Sequence, residues 1–263
     1  MDLTKKTGLA MYTVHQEAEK DMRGTLRGLY GMGYRGIEFY GELELFPKEK
    51  VKDALAYGGM EIVGWHLDWK RLDEESFGNT VRHLQDCGCD LAVVACLGGK
   101  WNIGHDQSGE CEDRWLYYVE WLNQSCERLR KEGIRIAYHN HEHEFAIRYG
   151  GRTVYDLLYE NLSPDVVMEL DSGNCIEGGG DSLKVLEKYK DRKIILHLKP
   201  YSRMKGFDVV LGEPEDDNDW NALLHQSRTD FEWLLVESEN TSLSGMENAG
   251  RCMDNLRRYI VVK

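Results

Sequence analysis

The sequence predicts an α/β fold, a single (β/α)8 TIM barrel forming one domain over residues 1–263. Three observations carry that expectation. Short apolar runs alternate with longer amphipathic ones along the whole chain, and the alternation recurs eight times. Strand-then-helix repetition implies a parallel sheet, because parallel neighbours need crossover connections. The turn after the first run, Met11-Tyr-Thr-Val-His15, holds neither GxGxxG nor a Walker A sequence, so the rival doubly wound open sheet lacks its phosphate loop. In about 250 residues the economical closure is the barrel, with its active site at the C-terminal strand ends.

The expected strands are 8–12, 36–39, 61–66, 91–96, 134–139, 166–170, 193–198 and 233–237, several of them nearly continuous in hydrophobicity, as strands covered on both faces are. Between them, 21–30 places Met22, Leu26, Leu29 and Tyr30 on one helical face and stops near Gly31 and Gly33. Helices are expected over 48–57 and 74–87, each stopping at glycine, and over 112–131, where Trp115, Val119, Leu122, Cys126 and Leu129 precede Gly133. Shorter ones fall at 153–159, 182–189 and 220–224. The last opens on Ser244-Gly-Met-Glu247, the spacing of a capping box.

Composition narrows the function. The 46 acids against 33 bases leave a net charge of −13, and no Lys/Arg-rich run appears, so neither nucleic acid nor an anionic membrane is an expected partner. No window approaches the ~18 consecutive apolar residues of a spanning helix, and the N-terminal stretch is too polar for a signal peptide, so a cytoplasmic protein is expected. Seven cysteines include no CxxC pair and read as reduced, mostly buried thiols.

Chemistry gathers where the barrel requires it, at the ends of four consecutive strands. The fifth ends in Tyr138-His-Asn-His-Glu-His-Glu-Phe145, the sixth at Asp171, the seventh at His197-Leu-Lys199 and the eighth at Glu237-Ser-Glu239. Burying an unpaired charge is costly. Carboxylates and an imidazole converging on one mouth are what a divalent ion requires. Singly, Asp171 could cap the turn Asp-Ser-Gly-Asn, His197 could be a hydrogen-bonded core histidine, and Glu237 and Glu239 a solvated strand end. Their joint placement favours the metal reading. Lys199 shares a strand face with His197.

YHNHxxEF, a strand ending in Asp, HLK and a final VE resemble the xylose isomerase-like TIM-barrel superfamily of sugar phosphate isomerases/epimerases, which also includes inosose dehydratases, tagatose/psicose epimerases and 3-keto-glycoside lyases. The resemblance starts at Gly8-Leu-Ala-Met-Tyr-Thr, continues through Gly33-Tyr-Arg-Gly-Ile-Glu-Phe39, and includes a relative of GEGxxDW at Gly212–Trp220. It implies one divalent metal ion (Mn, Mg, Co or Zn) held by Glu144, Asp171, His197 and Glu237. Many relatives carry a glutamate at the position of His139, and Glu142 is a second nearby carboxylate. HLKD reads His197-Leu-Lys-Pro200 here, and the 212–220 loop is longer and more acidic, which suits a neutral sugar over a phosphorylated one.

The expected activity is a metal-dependent isomerase or epimerase of a sugar or keto-sugar. It abstracts a proton beside a metal-bound carbonyl and passes through an enediolate. Glu144 and Glu237 are the acid/base candidates, and Lys199 steadies the developing oxyanion or relays a proton. His66, His139, His141 and Glu38 are candidates for sugar hydroxyls. Trp65, Trp69 or Tyr12 would stack on the sugar, though core packing explains these aromatics as well. The segment 97–105 is a candidate lid and equally an ordinary loop. Three alternatives stand beside this: a β-eliminating lyase or dehydratase, an abasic-site endonuclease-like enzyme, and a non-catalytic sugar-binding barrel. The partner is a small carbohydrate, and a homo-oligomer stays open.

Overall fold

The computed structural model describes residues 6–95, 97–98, 111–227 and 229–260. Eight strands, β1 (Thr7–Ala10), β2 (Gly36–Tyr40), β3 (Glu61–Leu67), β4 (Leu91–Val94), β5 (Arg135–His139), β6 (Val167–Asp171), β7 (Ile194–Leu198) and β8 (Phe231–Val236), close into a barrel in sequence order. Every neighbouring pair is parallel, including β8 with β1. The long helices are α1 (His15–Met32), α2 (Lys48–Gly58), α3 (Glu74–Cys87) and α4 (Glu112–Lys131). Shorter ones follow: α5 (His143–Ala146), α6 (Val154–Asn161), α7 (Ser172–Glu177) and α8 (Ser182–Lys188), before α9 (Gly245–Ile260). The expected barrel is therefore the observed one.

Two apolar layers hold it. Inside the cylinder, Val63, Leu91, Val93, Ala137, Val167, Ile195 and Leu235 pack together with Trp233. Outward-facing strand residues such as Leu9, Ile37, Phe39, Tyr138 and Leu196 meet the helices in a larger second layer. At about 25 cal/mol per Å² of apolar surface, each buried leucine or phenylalanine in these layers contributes roughly 1.5–3 kcal/mol. Of the cysteines, Cys87, Cys89, Cys126, Cys175 and Cys252 are buried free thiols and Cys111 is exposed.

Local chemistry sets the boundaries. The Ser244–Glu247 capping box forms: Glu247 N donates to Ser244 Oγ at 3.3 Å, and Ser244 N donates to Glu247 Oε2 at 3.0 Å. Gly88 ends α3 in the left-handed conformation (φ 74°). The expected start at Asp21 is a break within α1, where the Asp21 carboxylate accepts the Gly24 N–H at 2.9 Å and caps the second segment. Helix 220–224 instead forms one wide π-helical turn, Ala222–Gln226. Not expected were the short helices α5, three residues beyond β5, and α7, directly after β6, nor the antiparallel ribbon of Arg148–Tyr149 with Arg152–Thr153. No helix among the described residues is long and apolar enough to cross a membrane.

Candidate metal centre

Inward side chains alternate along a strand, so residues two apart stack along the barrel axis. β6 therefore sends both Glu169 and Asp171 inward, and β7 sends His197 with Lys199 just beyond its end. On β3 an extra residue, marked by the register shift opposite Ile37 and Glu38, pairs Gly64 with Glu38 and His66 with Tyr40. That bulge aims His66 inward. Gly64 fits closely: a Cβ there would stand 3.1 Å from both Glu38 Oε1 and Val93 Cγ2, tighter than ordinary contact.

The result is a polar column of two overlapping rings. The upper comprises His139, Asp171, His197 and Glu237, whose ligand atoms lie within 4.8 Å of one another. The lower comprises His66, His139, Glu169 and His197, under the same limit. All but His66 are buried. The three imidazole rings pack together, with centroids 4.6–5.7 Å apart. In the upper ring, His197 Nδ1 lies 3.0 Å from Glu237 Oε2 and His139 Nε2 lies 3.8 Å from Asp171 Oδ2. Lys199 Nζ donates to Glu237 Oε1 (2.8 Å), pairs with Glu239 Oε1 (2.6 Å) and stands 4.0 Å from Asp171 Oδ2.

Asp171 serves both roles its sequence context offered. Its Oδ1 caps α7 by accepting the Asn174 N–H at 2.7 Å. Its Oδ2 is buried, accepts no hydrogen bond from the protein and belongs to the upper ring. Asn140 ties the two strand ends together, its Oδ1 accepting the Asp171 N–H at 2.9 Å while its own carbonyl accepts Asn174 Nδ2 at 3.1 Å.

The field inside the column follows from these contacts. Burial raises the Asp171 carboxyl, against Lys199 and with Glu237. Burial pushes Glu237 the same way, but Lys199 and His197 hold it well below the usual range. Lys199 loses to burial and gains more from Glu237, Asp171 and Glu239, so its ammonium is held charged. Burial depresses His139 to about 4, outweighing its bond to Glu169.

Four oxygen- and nitrogen-bearing residues converging on an orphaned carboxylate oxygen fit a divalent ion. The expected fifth-strand ligand is corrected. Glu144 sits on α5, where its carboxylate accepts the Tyr138 hydroxyl at 2.5 Å and the His141 N–H at 2.9 Å, on the outer side of β5. It joins neither ring, and neither does Glu142 among the described residues; His139 is the fifth-strand residue that lies in both rings. The physical reason is parity: Tyr138 faces the helices and His139 faces the axis.

Two further expectations change. Trp65 is fully buried outside the barrel wall, stacked on Phe39 at 4.8 Å, with Nε1 donating to Gly41 O at 3.3 Å, so it is core and does not meet a sugar. Trp69 likewise packs on Trp121 and Tyr118. Glu38 lies inside the column, 3.0 Å from His66 Nε2 and 2.9 Å from His197 Nε2, rather than at the mouth. Above the upper ring opens a cavity of about 390 Å³ whose lining includes Tyr12, Tyr40, His66, His139, His141, Lys199, Phe207, Glu237 and Glu239. Residues 99–105 of the candidate lid lie outside the described residues.

The acidic 212–220 loop does not form the cavity's lip. Asp216 is its internal anchor, accepting Gly212 N–H (2.9 Å) and Trp220 Nε1 (2.7 Å), while Glu215 pairs with Lys205 and Asp217 with Arg203. The cavity's own carboxylates are Glu42, Asp68, Glu177, Glu237 and Glu239, against Lys199 as the one lysine or arginine among the described lining residues. Glu169 was missed in the sequence. Its signal was the i, i+2 spacing to Asp171, which puts both on one strand face.

A closed barrel with imidazoles and carboxylates at the carboxyl ends of its strands places the chain among the β/α-barrel proteins that keep their chemistry at that rim. More narrowly, it belongs to the xylose isomerase-like TIM barrel family, whose profile matches residues 29–259. Over 188 residues the chain is 29% identical to an inosose dehydratase of Geobacillus kaustophilus, covering 64% of this chain and 58% of that relative's length. In shape it is similar to a sugar phosphate isomerase/epimerase from Parabacteroides distasonis (TM-score 0.77, 21% identity, 96% and 97% of the two chains). It is also similar to an IolI protein with a bound zinc (TM-score 0.68, 15% identity, 97% and 98%).

Proposed function

We propose that this chain is a divalent-metal-dependent dehydratase of a neutral polyhydroxy ketone. The observation that carries the reading is the convergence of His139, Asp171, His197 and Glu237 on the buried Asp171 Oδ2 beneath an open cavity. Those four residues would hold the ion. When bound, the ion supplies Lewis-acid polarisation of the substrate carbonyl and charge stabilisation.

The chain's own groups do the rest. Glu237 Oε1 takes the proton from the carbon beside the carbonyl. Lys199 Nζ, 2.8 Å away, gives a proton to the hydroxyl leaving the next carbon and receives the one Glu237 took. Water is the net loss, and both side chains return to their starting state. Tyr12, Tyr40 and Phe207 offer faces to the apolar side of a polyol. The carboxylates of the lining disfavour a phosphate group.

Elimination is preferred to isomerisation because the relative matched by sequence is a dehydratase, whereas the isomerase/epimerase likeness at 21% identity speaks for fold. The test is elemental analysis of the purified protein, followed by ketocyclitols and ketoses incubated in D2O with and without EDTA. The expected result is a divalent ion and chelator-sensitive loss of water. Deuterium exchange beside the carbonyl without loss of water would make the chain an isomerase or epimerase. A metal-free, EDTA-insensitive protein would leave a sugar-binding barrel, and incision of abasic DNA would overturn the small-molecule reading.

A further inference from the structure

The upper ring accounts for one nitrogen of each of its imidazoles and leaves the other to be explained. His139 turns Nε2 to Asp171 and Nδ1 to Glu169 Oε2, with an aligned contact of 3.0 Å. His197 turns Nδ1 to Glu237 and Nε2 to Glu38 Oε2 at 2.9 Å and Glu169 Oε2 at 3.5 Å. Glu38 and Glu169 are joined from above by His66, whose Nε2 lies 3.0 Å from an oxygen of each. Both carboxylates are buried among the barrel's inward residues; neither oxygen of Glu38 nor Oε1 of Glu169 accepts an aligned hydrogen bond from the protein, and His197 Nε2 makes none.

We propose that Glu38, His66 and Glu169 form a carboxylate–imidazole–carboxylate bridge that holds His139 and His197 in the tautomers that present Nε2 and Nδ1, respectively, to a single ion. This rests on the metal reading above. It makes the three positioning residues, not sugar ligands. An imidazole that binds an ion through one nitrogen keeps its proton on the other, and a carboxylate facing that proton fixes the ring and raises its basicity. For His139 the acceptor is Glu169. For His197 it is Glu38, whose Oε2 lies 2.9 Å from the otherwise unpartnered Nε2.

The lower ring also resembles a second ion site, and chemistry decides against it. Filling both rings would require His139 and His197 to ligate through both nitrogens at once. Two imidazoles would then have to lose their last ring proton together, inside a column that already holds Glu38, Glu169, Asp171 and Glu237. One ion with a hydrogen-bonded floor needs no such deprotonation.

The experiment reads metal, not turnover. Wild type, Glu38→Gln and Glu169→Gln are titrated with zinc and with cobalt(II) against a chromophoric chelator. Wild type should bind one ion per chain, and each variant should bind it about 10- to 100-fold more weakly. The cobalt d–d spectrum should shift as the imidazoles lose their fixed orientation, a change that a merely structural role would not produce. Two ions per chain, or variants with wild-type affinity and spectrum, overturn the bridge. A wild type that binds no ion refutes the metal reading instead.

Long-range proton–nitrogen NMR of the zinc-loaded wild type needs no variant. It should find protons on His139 Nδ1 and His197 Nε2, and the opposite tautomer at either ring overturns the proposal.

Discussion

The Tyr138 hydroxyl donates to Glu144 Oε1 at 2.5 Å, and that bond fastens the turn after β5 to the outside of the barrel wall. Glu144 also accepts the His141 N–H (2.9 Å) and lies 3.2 Å from His143 Nε2. Its carboxylate therefore organises the backbone that carries His139 and His141 without entering the column. Glu144→Ala should lower stability by about 2–3 kcal/mol, because it removes the acceptor of both the buried Tyr138 hydroxyl and the part-buried His141 N–H. Metal stoichiometry should be unchanged. Urea unfolding and elemental analysis check both, and loss of the ion from folded Glu144→Ala protein would restore Glu144 as a ligand.

Lys199 is the only lysine or arginine that meets the upper ring among the described residues, and Glu237, Glu239 and Asp171 surround its ammonium. A group held charged in this way is unsuited to act as the base; it steadies a developing oxyanion, and it gives a proton to a leaving hydroxyl once Glu237 is neutralised by the one it took. Lys199→Met should reduce kcat by about a hundredfold or more while the ion is retained. A folded variant with wild-type kcat would remove Lys199 from the mechanism.

Fold and site were unequally legible in the sequence. Periodicity reveals the strands, because a strand buried on both faces has little choice but apolar residues, and α3 and α4 match their expected ends. The strand-end rule singles out Asp171, His197 and Glu237, which the structure gathers in one ring, and Lys199, which stands beside it. It fails at β5, where YHNHxxEF offers carboxylates at 142 and 144 and the eye follows charge, while parity selects His139. It also misses Glu169, hidden inside an apolar run. Trp65 and His66 are neighbours with opposite fates, and the bulge in β3 that decides between them is marked in residue type by Gly64 alone.

Gly64 tests that bulge with one methyl group. A Cβ there would stand 3.1 Å from Glu38 Oε1 and Val93 Cγ2 and 3.3 Å from Leu91 Cδ2, tighter than ordinary contact on three sides. Glu38 would be pressed toward His66 and His197. Gly64→Ala should cost about 1–3 kcal/mol through overpacking and should weaken ion binding as well. Thermal unfolding and chelator competition read the two effects. Unchanged stability and affinity together would show that the column has slack at its floor.

Asp156 supplies a pH dependence remote from the ion. It sits in the first turn of α6, where its Oδ1 accepts Lys188 Nζ at 2.7 Å and the Tyr189 hydroxyl at 2.8 Å. Burial pushes its carboxyl up, but those donors outweigh burial and hold it below the ordinary value. The folded chain therefore binds a proton at Asp156 less readily than the unfolded chain does. The resulting stability is fully present above the unfolded value of about 3.9 and is lost as pH falls through the folded one. Asp156→Asn should be less stable than wild type by about 1 kcal/mol at neutral pH. The gap should close as pH drops below about 4, where wild type is also losing the charge. Urea midpoints at several pH values from neutral to acid measure it, and a gap that stays constant or widens in acid would show that the carboxylate's charge contributes nothing here.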